Sequence, residues 1–149
     1  MFIILSILHF YVSHEAIHFV VAILLAWLIF NWFHSKRAAV VCFSYSVLID
    51  IDHLFDFFVY TKGVSFDIYS FFTTPYFLEN GKAYVPLHGW EYAIILLILS
   101  VFLKKYRDIY VALSFAIIGH LLIDQFYYSM TPFKYFLVYR WIYGFGMEL

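Results

Sequence analysis

Three aspartates and a histidine, Asp50, Asp52, His53 and Asp56, interrupt the otherwise apolar stretch SVLIDIDHLFDFFVY at residues 46–60. Comparable pairs recur along the chain. His14 and His18 are four residues apart, His88 and Glu91 three, and His120 and Asp124 four. On a helix these spacings put both members of a pair on one face. Inward-facing imidazole and carboxylate pairs on several helices are how helical bundles build metal sites. A divalent cation offsets much of the cost of burying carboxylates away from water. Asp52 sits about 200° around a regular helix from Asp50, so it either supports the ligands from behind or serves a second metal.

The elements that must carry these groups are set by composition. Of 149 residues, 65% are hydrophobic, 25% aromatic and only 13% charged, against roughly 45–50% apolar and 25% charged in soluble domains. That is an all-α integral membrane protein, a single domain at this length. A formal net charge of -1 excludes a strongly basic surface for nucleic acid. The single Cys42 rules out an intrachain disulfide and any cysteine-pair metal knuckle. About 20 apolar residues cross a bilayer as a helix, and four segments qualify, near 15–33, 39–60, 87–103 and 109–128. Residues 1–13 either extend the first span or lie in the interface. The aromatic tail at 132–149, with Lys134 and Arg140, reads as an interfacial segment. The loop at 61–86 is long enough to cover a site between helix ends.

Lys36 and Arg37 follow the first span, and Lys104, Lys105 and Arg107 follow the third. The positive-inside tendency puts both connections in the cytoplasm and both termini outside. Measured from these basic turns at about 1.5 Å per residue, His18, Asp50, His53, His88, Glu91, His120 and Asp124 all lie roughly 17–24 Å away. Four spans therefore contribute to one polar layer, whichever way the protein is inserted. Ionisable groups inside a membrane face the bundle interior, pair with one another and mark function.

The peptide HEAIH, His14 to His18, matches the HExxH helix signature of zinc proteases. A protease of that type needs a downstream third ligand and a soluble cleft, whereas the other histidines and acids here sit on separate spans. His9 and His34 read as ordinary interfacial histidines. Asp56 is expected at a helix end in water, and Asp108 and Glu148 are expected to be solvated.

LIDIDH (48–53), PLHGWE (86–91) and GHLLID (119–124), after a histidine-bearing first helix, resemble the membrane-bound metal-dependent hydrolase family of small inner-membrane proteins, domain of unknown function 457. That family carries P-D-x-D-H, H-R-G-x-T-H-S and S-H-x-x-x-D in this order. The resemblance assigns Asp50, Asp52 and His53 to the first motif, His88 to the second histidine of the next, and His120 and Asp124 to the last. His18 or His14 takes the place of the first-helix histidine. Ile49 stands where the family has proline, and no histidine or arginine precedes His88 in AYVPLHG. The H-x-x-x-D element is also similar to one in zinc-dependent phospholipases C and nucleases.

The resemblance implies a hydrolase using metal-activated water on a lipid-like ester or phosphoester, working on membrane lipids. Its metal, zinc, falls to His18, Asp50, His53, His88, His120 and Asp124, with His14 as a further ligand. Six ligands exceed one tetrahedral zinc ion, so either two ions or one ion with supporting residues is expected. Glu91 or Asp52 is the candidate general base, with Glu15 as an outsider. The rival class is a proton or cation transport module using the same cluster, and four short spans without broken-helix repeats count against it. A di-iron oxidoreductase is a third class, for which seven histidines, some poorly placed, are too few.

Overall fold

The computed structural model describes residues 2–63, 67–73 and 81–146, without the side chains of residues 2–12, 68, 72 and 73. Glu148 and the side chain of His9 lie outside the described residues. Helix α1 runs from Phe2 to Phe33, so residues 2–12 continue the first helix without a break. It stops where His34 takes a positive φ of 51°. Ser35 then caps α2 (Lys36–Leu48) by accepting the Ala38 N–H. A 3-10 turn over Ile49–Asp52 joins α2 to α3 (His53–Tyr60). Within the long loop lies α4 (Ile68–Thr73). After it come α5 (Trp90–Phe102), α6 (Arg107–Tyr127), a 3-10 turn over Pro132–Tyr135, and α7 (Leu137–Ile142). The described residues form no strand, only an isolated bridge between Lys82 and Gly146.

Three stretches are long and apolar enough to cross a membrane: Ser13–Phe33, Lys36–Tyr60 and Lys104–Tyr127. The fourth expected span is shorter than the 87–103 predicted. Helix α5 has 13 residues, about 20 Å of helix, less than the roughly 30 Å hydrocarbon core. Its start is delayed because Gly89 is extended, with φ -133° and ψ 125°. His88 therefore stands on a loop ahead of the helix rather than on it.

Helix α6 is the hub: α1, α2 and α5 all pack against it. Small residues make this possible. Ala112 and Ala116 are fully buried, and a Cβ at Gly119 would run into Leu25 Cδ1 of α1. That close approach carries His18 of α1 toward His120 and Asp124 of α6. One apolar cluster, including Ile29, Cys42 and Val111, fills one level of the bundle. A second, including Ile49, Ile117 and Leu121, packs beside the polar residues.

Burial is inverted relative to a soluble protein. His14, His18, His88, His120, Asp52 and Asp124 are all at most 5% exposed, while Trp27, Val101 and Phe126 are 62–78% exposed. An apolar exterior around a polar interior suits hydrocarbon surroundings, where polar groups must be satisfied within the protein. At the opposite end from the histidines, Ser35 Oγ donates to Asp108 at 2.7 Å and Arg37 lies 3.9 Å from the same carboxylate. Asp108, expected in water, is partly buried and ties the two basic turns together.

Candidate metal centre

Four side chains converge from three segments. His88 Nε2 lies 3.1 Å from His120 Nε2. Asp50 Oδ1 is 3.2 Å from each of these nitrogens, and Asp124 Oδ2 is 3.5 Å from each. Ligands about 2.0–2.1 Å from a tetrahedral zinc ion are about 3.3 Å apart. These five separations fall in the range found between ligands of a small divalent cation, and His88, His120 and Asp124 form one of the groups that could hold a metal ion.

The ring tautomers support the same fit. His120 Nδ1 is 3.2 Å from the Ser46 carbonyl, which can only accept, and His88 Nδ1 is 3.0 Å from Asp52 Oδ2. Both Nδ1–H groups therefore donate outward, and in the neutral rings both Nε2 lone pairs point at each other. Lone pairs 3.1 Å apart repel unless a proton or a metal cation lies between them. Carboxylate and carbonyl partners behind ligating histidines are the usual means of fixing such rings.

Local backbone geometry sorts the aspartates. The 3-10 turn advances about 120° per residue, so Asp50 and His53 eclipse on the side facing the cluster. Asp52 and Asp56, four apart, share the other side, facing residues 84–88. Asp52 Oδ2 accepts the Leu87 N–H at 2.7 Å as well as the His88 ring. Asp56 accepts the Tyr84 N–H at 2.7 Å and the Val85 N–H at 3.4 Å. Asp56 is therefore buried at 3% exposure and anchors a loop, correcting the expectation of a solvated helix end. Asp52, expected as a possible base, is the residue that orients His88. If the group holds a divalent metal, Asp52→Asn is expected to weaken its binding about 10–100-fold while the helical content is retained, as measured by competition with a chromogenic chelator.

His14 and His18 form a second group with Asp124. Their Nε2 atoms are 3.0 Å apart, and Asp124 Oδ1 is 3.1 Å from His14 and 3.0 Å from His18. Glu15 lies 3.8 Å from His14 Nδ1 with its side chain 56% exposed. His53 Nε2 is 3.5 Å from Asp50 Oδ1, at the edge of the first group, and its side chain is a third exposed. His34 is exposed, outside both groups.

Glu91 has a different task from the ligand or base role expected of it. Both its oxygens are engaged by the tail, accepting the Leu137 N–H at 3.0 Å and the Val138 N–H at 3.1 Å. The i,i+3 argument pairing it with His88 fails because the helix starts at Trp90, so the two residues do not share a helical face. Glu91 instead supplies an acceptor to two orphan donors at the start of α7.

Arg140 on α7 was read from sequence only as an interfacial charge, yet it is 6% exposed. Its Nη1 donates to the Tyr84 carbonyl at 2.6 Å and the Val85 carbonyl at 3.1 Å, and its Nη2 donates to the His88 carbonyl. Burial pulls its pKa below the ordinary guanidinium value, against the charges of Asp52, Glu91 and Asp56. The loop it grips is strained: Val85 has a φ of 27°, a rare conformation for a β-branched residue and one that the following Pro86 disfavours further. Asp56 on one side and Arg140 on the other hold it there.

A cavity of about 80 Å³ opens beside the cluster. Its lining brings His14, His53, His88 and Asp124 together with a wall from the tail, Lys134, Arg140, Tyr135, Tyr139 and Tyr143. Burial raises the Tyr135 pKa, helped by the Asp124 charge, so this wall presents a neutral phenol. The tail expected in the interface is thus a wall of the site. Comparison with protein-family models, curated proteins and solved structures finds no match to the chain, so the family resemblance rests on its three short motifs and the centre must be read from its own geometry.

Proposed function

We propose that this chain is a membrane-embedded metal-dependent hydrolase acting on a lipid-like ester or phosphoester. The observation that carries the reading is the convergence of His88, His120 and Asp124, all buried, with the partly buried Asp50, at ligand-atom separations of 3.1–3.5 Å that suit a small divalent ion. Two neutral imidazoles and two carboxylates suit zinc, a borderline ion that accepts both nitrogen and oxygen. When bound, such an ion supplies Lewis acidity and a water of lowered pKa.

The chain's own residues do the rest. Asp52 and the Ser46 carbonyl lock the two rings, so the ligand atoms need no reorganisation. The cavity admits a small polar group against His14, His53 and Asp124, while Lys134 faces the same space and suits an anionic head group. An apolar exterior supports a substrate drawn from lipid. The positive-inside tendency puts the basic turns on the cytoplasmic side of a prokaryotic inner membrane and the cavity toward the opposite face.

Elemental analysis of the detergent-purified protein beside His120→Ala tests the reading. At least one zinc ion per chain in the parent, and at least one fewer in a variant that keeps its helical content, is the expected result. Fluorogenic lipid phosphoesters and carboxylic esters should then be cleaved by the parent alone. No ion after zinc reconstitution overturns the proposal, and weak, freely exchanging metal overturns it in favour of transport.

A further inference from the structure

Asp124 belongs to both histidine groups. Its Oδ2 is 3.5 Å from His88 and His120, while its Oδ1 is 3.0–3.1 Å from His18 and His14. Each oxygen of one carboxylate therefore faces its own pair of imidazole nitrogens. The His14 and His18 nitrogens are only 3.0 Å apart, so two imidazole nitrogens and one carboxylate oxygen lie within 3.1 Å of one another, a group that could hold a metal ion. All three residues are at most 5% exposed. His18 Nδ1 has no hydrogen-bond partner among the described residues, so nothing there fixes the ring by itself.

We propose a second divalent-cation site formed by His14, His18 and Asp124, with Asp124 bridging it to the four-ligand set. This deepens the hydrolase reading and rests on it. The two sites differ in how completely the protein closes them. The first has four protein ligands, the number typical of closed structural zinc sites. The second has three, and three is the number that catalytic zinc sites use to leave a position open. His14 and Asp124 also line the cavity, and the Tyr127 and Tyr128 rings pack around His14 at 4.6 and 5.1 Å. On this proposal the four-ligand set would tie together the 3-10 turn, α6 and the 84–88 loop, and the three-ligand set, on α1 and α6, would be the one left open to a substrate oxygen. The paired ions would lie on either side of one carboxylate, the arrangement that two-metal hydrolases use to hold both attacking and leaving oxygens.

Zinc titration of the full-length protein in detergent, read by elemental analysis after removal of free metal, separates the possibilities. Two ions per chain are expected for the parent and one for His14→Ala combined with His18→Ala. Asp124→Ala should weaken both sites by at least the roughly 10–100-fold that loss of a supporting partner costs. One ion in the parent overturns the second site while leaving the first, and this outcome does not depend on whether any variant folds. Two ions in the double variant also overturn it. One affinity unchanged in Asp124→Ala overturns the bridge. No ion at all in the parent sinks the hydrolase reading together with this one.

Discussion

Chelation of the metal proposed for the centre is expected to lower the midpoint of thermal unfolding by roughly 5–10 °C. An ion present at a hundredfold excess over its dissociation constant stabilises the folded state by about 2.7 kcal/mol, and 1 kcal/mol moves the midpoint about 2–4 °C for a chain of this size. The structure explains why the dependence should be this strong. Without an ion, Asp50 and Asp124 are held at the centre of the bundle facing imidazole lone pairs, an arrangement that only protonation or a cation reconciles. The check is a melting curve in detergent before and after exhaustive chelation, followed by zinc re-addition. A midpoint that does not move, or that moves and is not restored by zinc, contradicts the metal centre.

The second large effect is expected at a residue that touches no ligand atom. Arg140→Ala should destabilise the protein by about 3–5 kcal/mol, the usual result of removing one member of a buried charge network. It should also weaken zinc binding about 10–100-fold, the range seen when a ligand loses its support. The guanidinium holds three carbonyls, those of Tyr84, Val85 and His88, and its loss leaves Asp52, Asp56 and Glu91 without their shared cation. Arg140→Lys keeps the charge but replaces a planar fork with a point donor, so it should recover stability better than zinc affinity. That split separates positioning of His88 from general support of the fold. Equal recovery of both quantities would count against a positioning role.

The helical fold and much of the site were legible because they follow from helical spacing and from the cost of charge in an apolar chain. His18, His120 and Asp124 lie on regular helix, so their separations in sequence translate directly into a shared depth. Asp50 was legible for the same reason, and the 3-10 turn reinforces its pairing with His53. Glu91 was misread where regular geometry fails: Pro86 and Gly89 push the helix start past His88, and the presumed common face disappears. Asp56 carried a signal in its i,i+4 spacing from Asp52, but what that face meets is a loop some 30 residues away, which periodicity does not encode. Arg140 carried a fainter one, as the lone charge within FLVYRWIY at 136–143. Its partners are backbone carbonyls, and backbone has no sequence signature. The double use of Asp124 was hidden likewise, since nothing in H-x-x-x-D says that both oxygens will find separate histidine pairs.

The grip of Arg140 on the His88 loop has a consequence for biosynthesis. His14, His18, Asp50 and His53 all lie in the first 60 residues of the chain, whereas Arg140 lies more than 50 residues beyond the Val85 carbonyl that it holds. A ribosome makes the chain from the N-terminus, so the grip on the His88 loop exists only once the tail has been synthesised. On the proposed reading, a metal centre that needs His88 held in place would be complete only in chains made through α7.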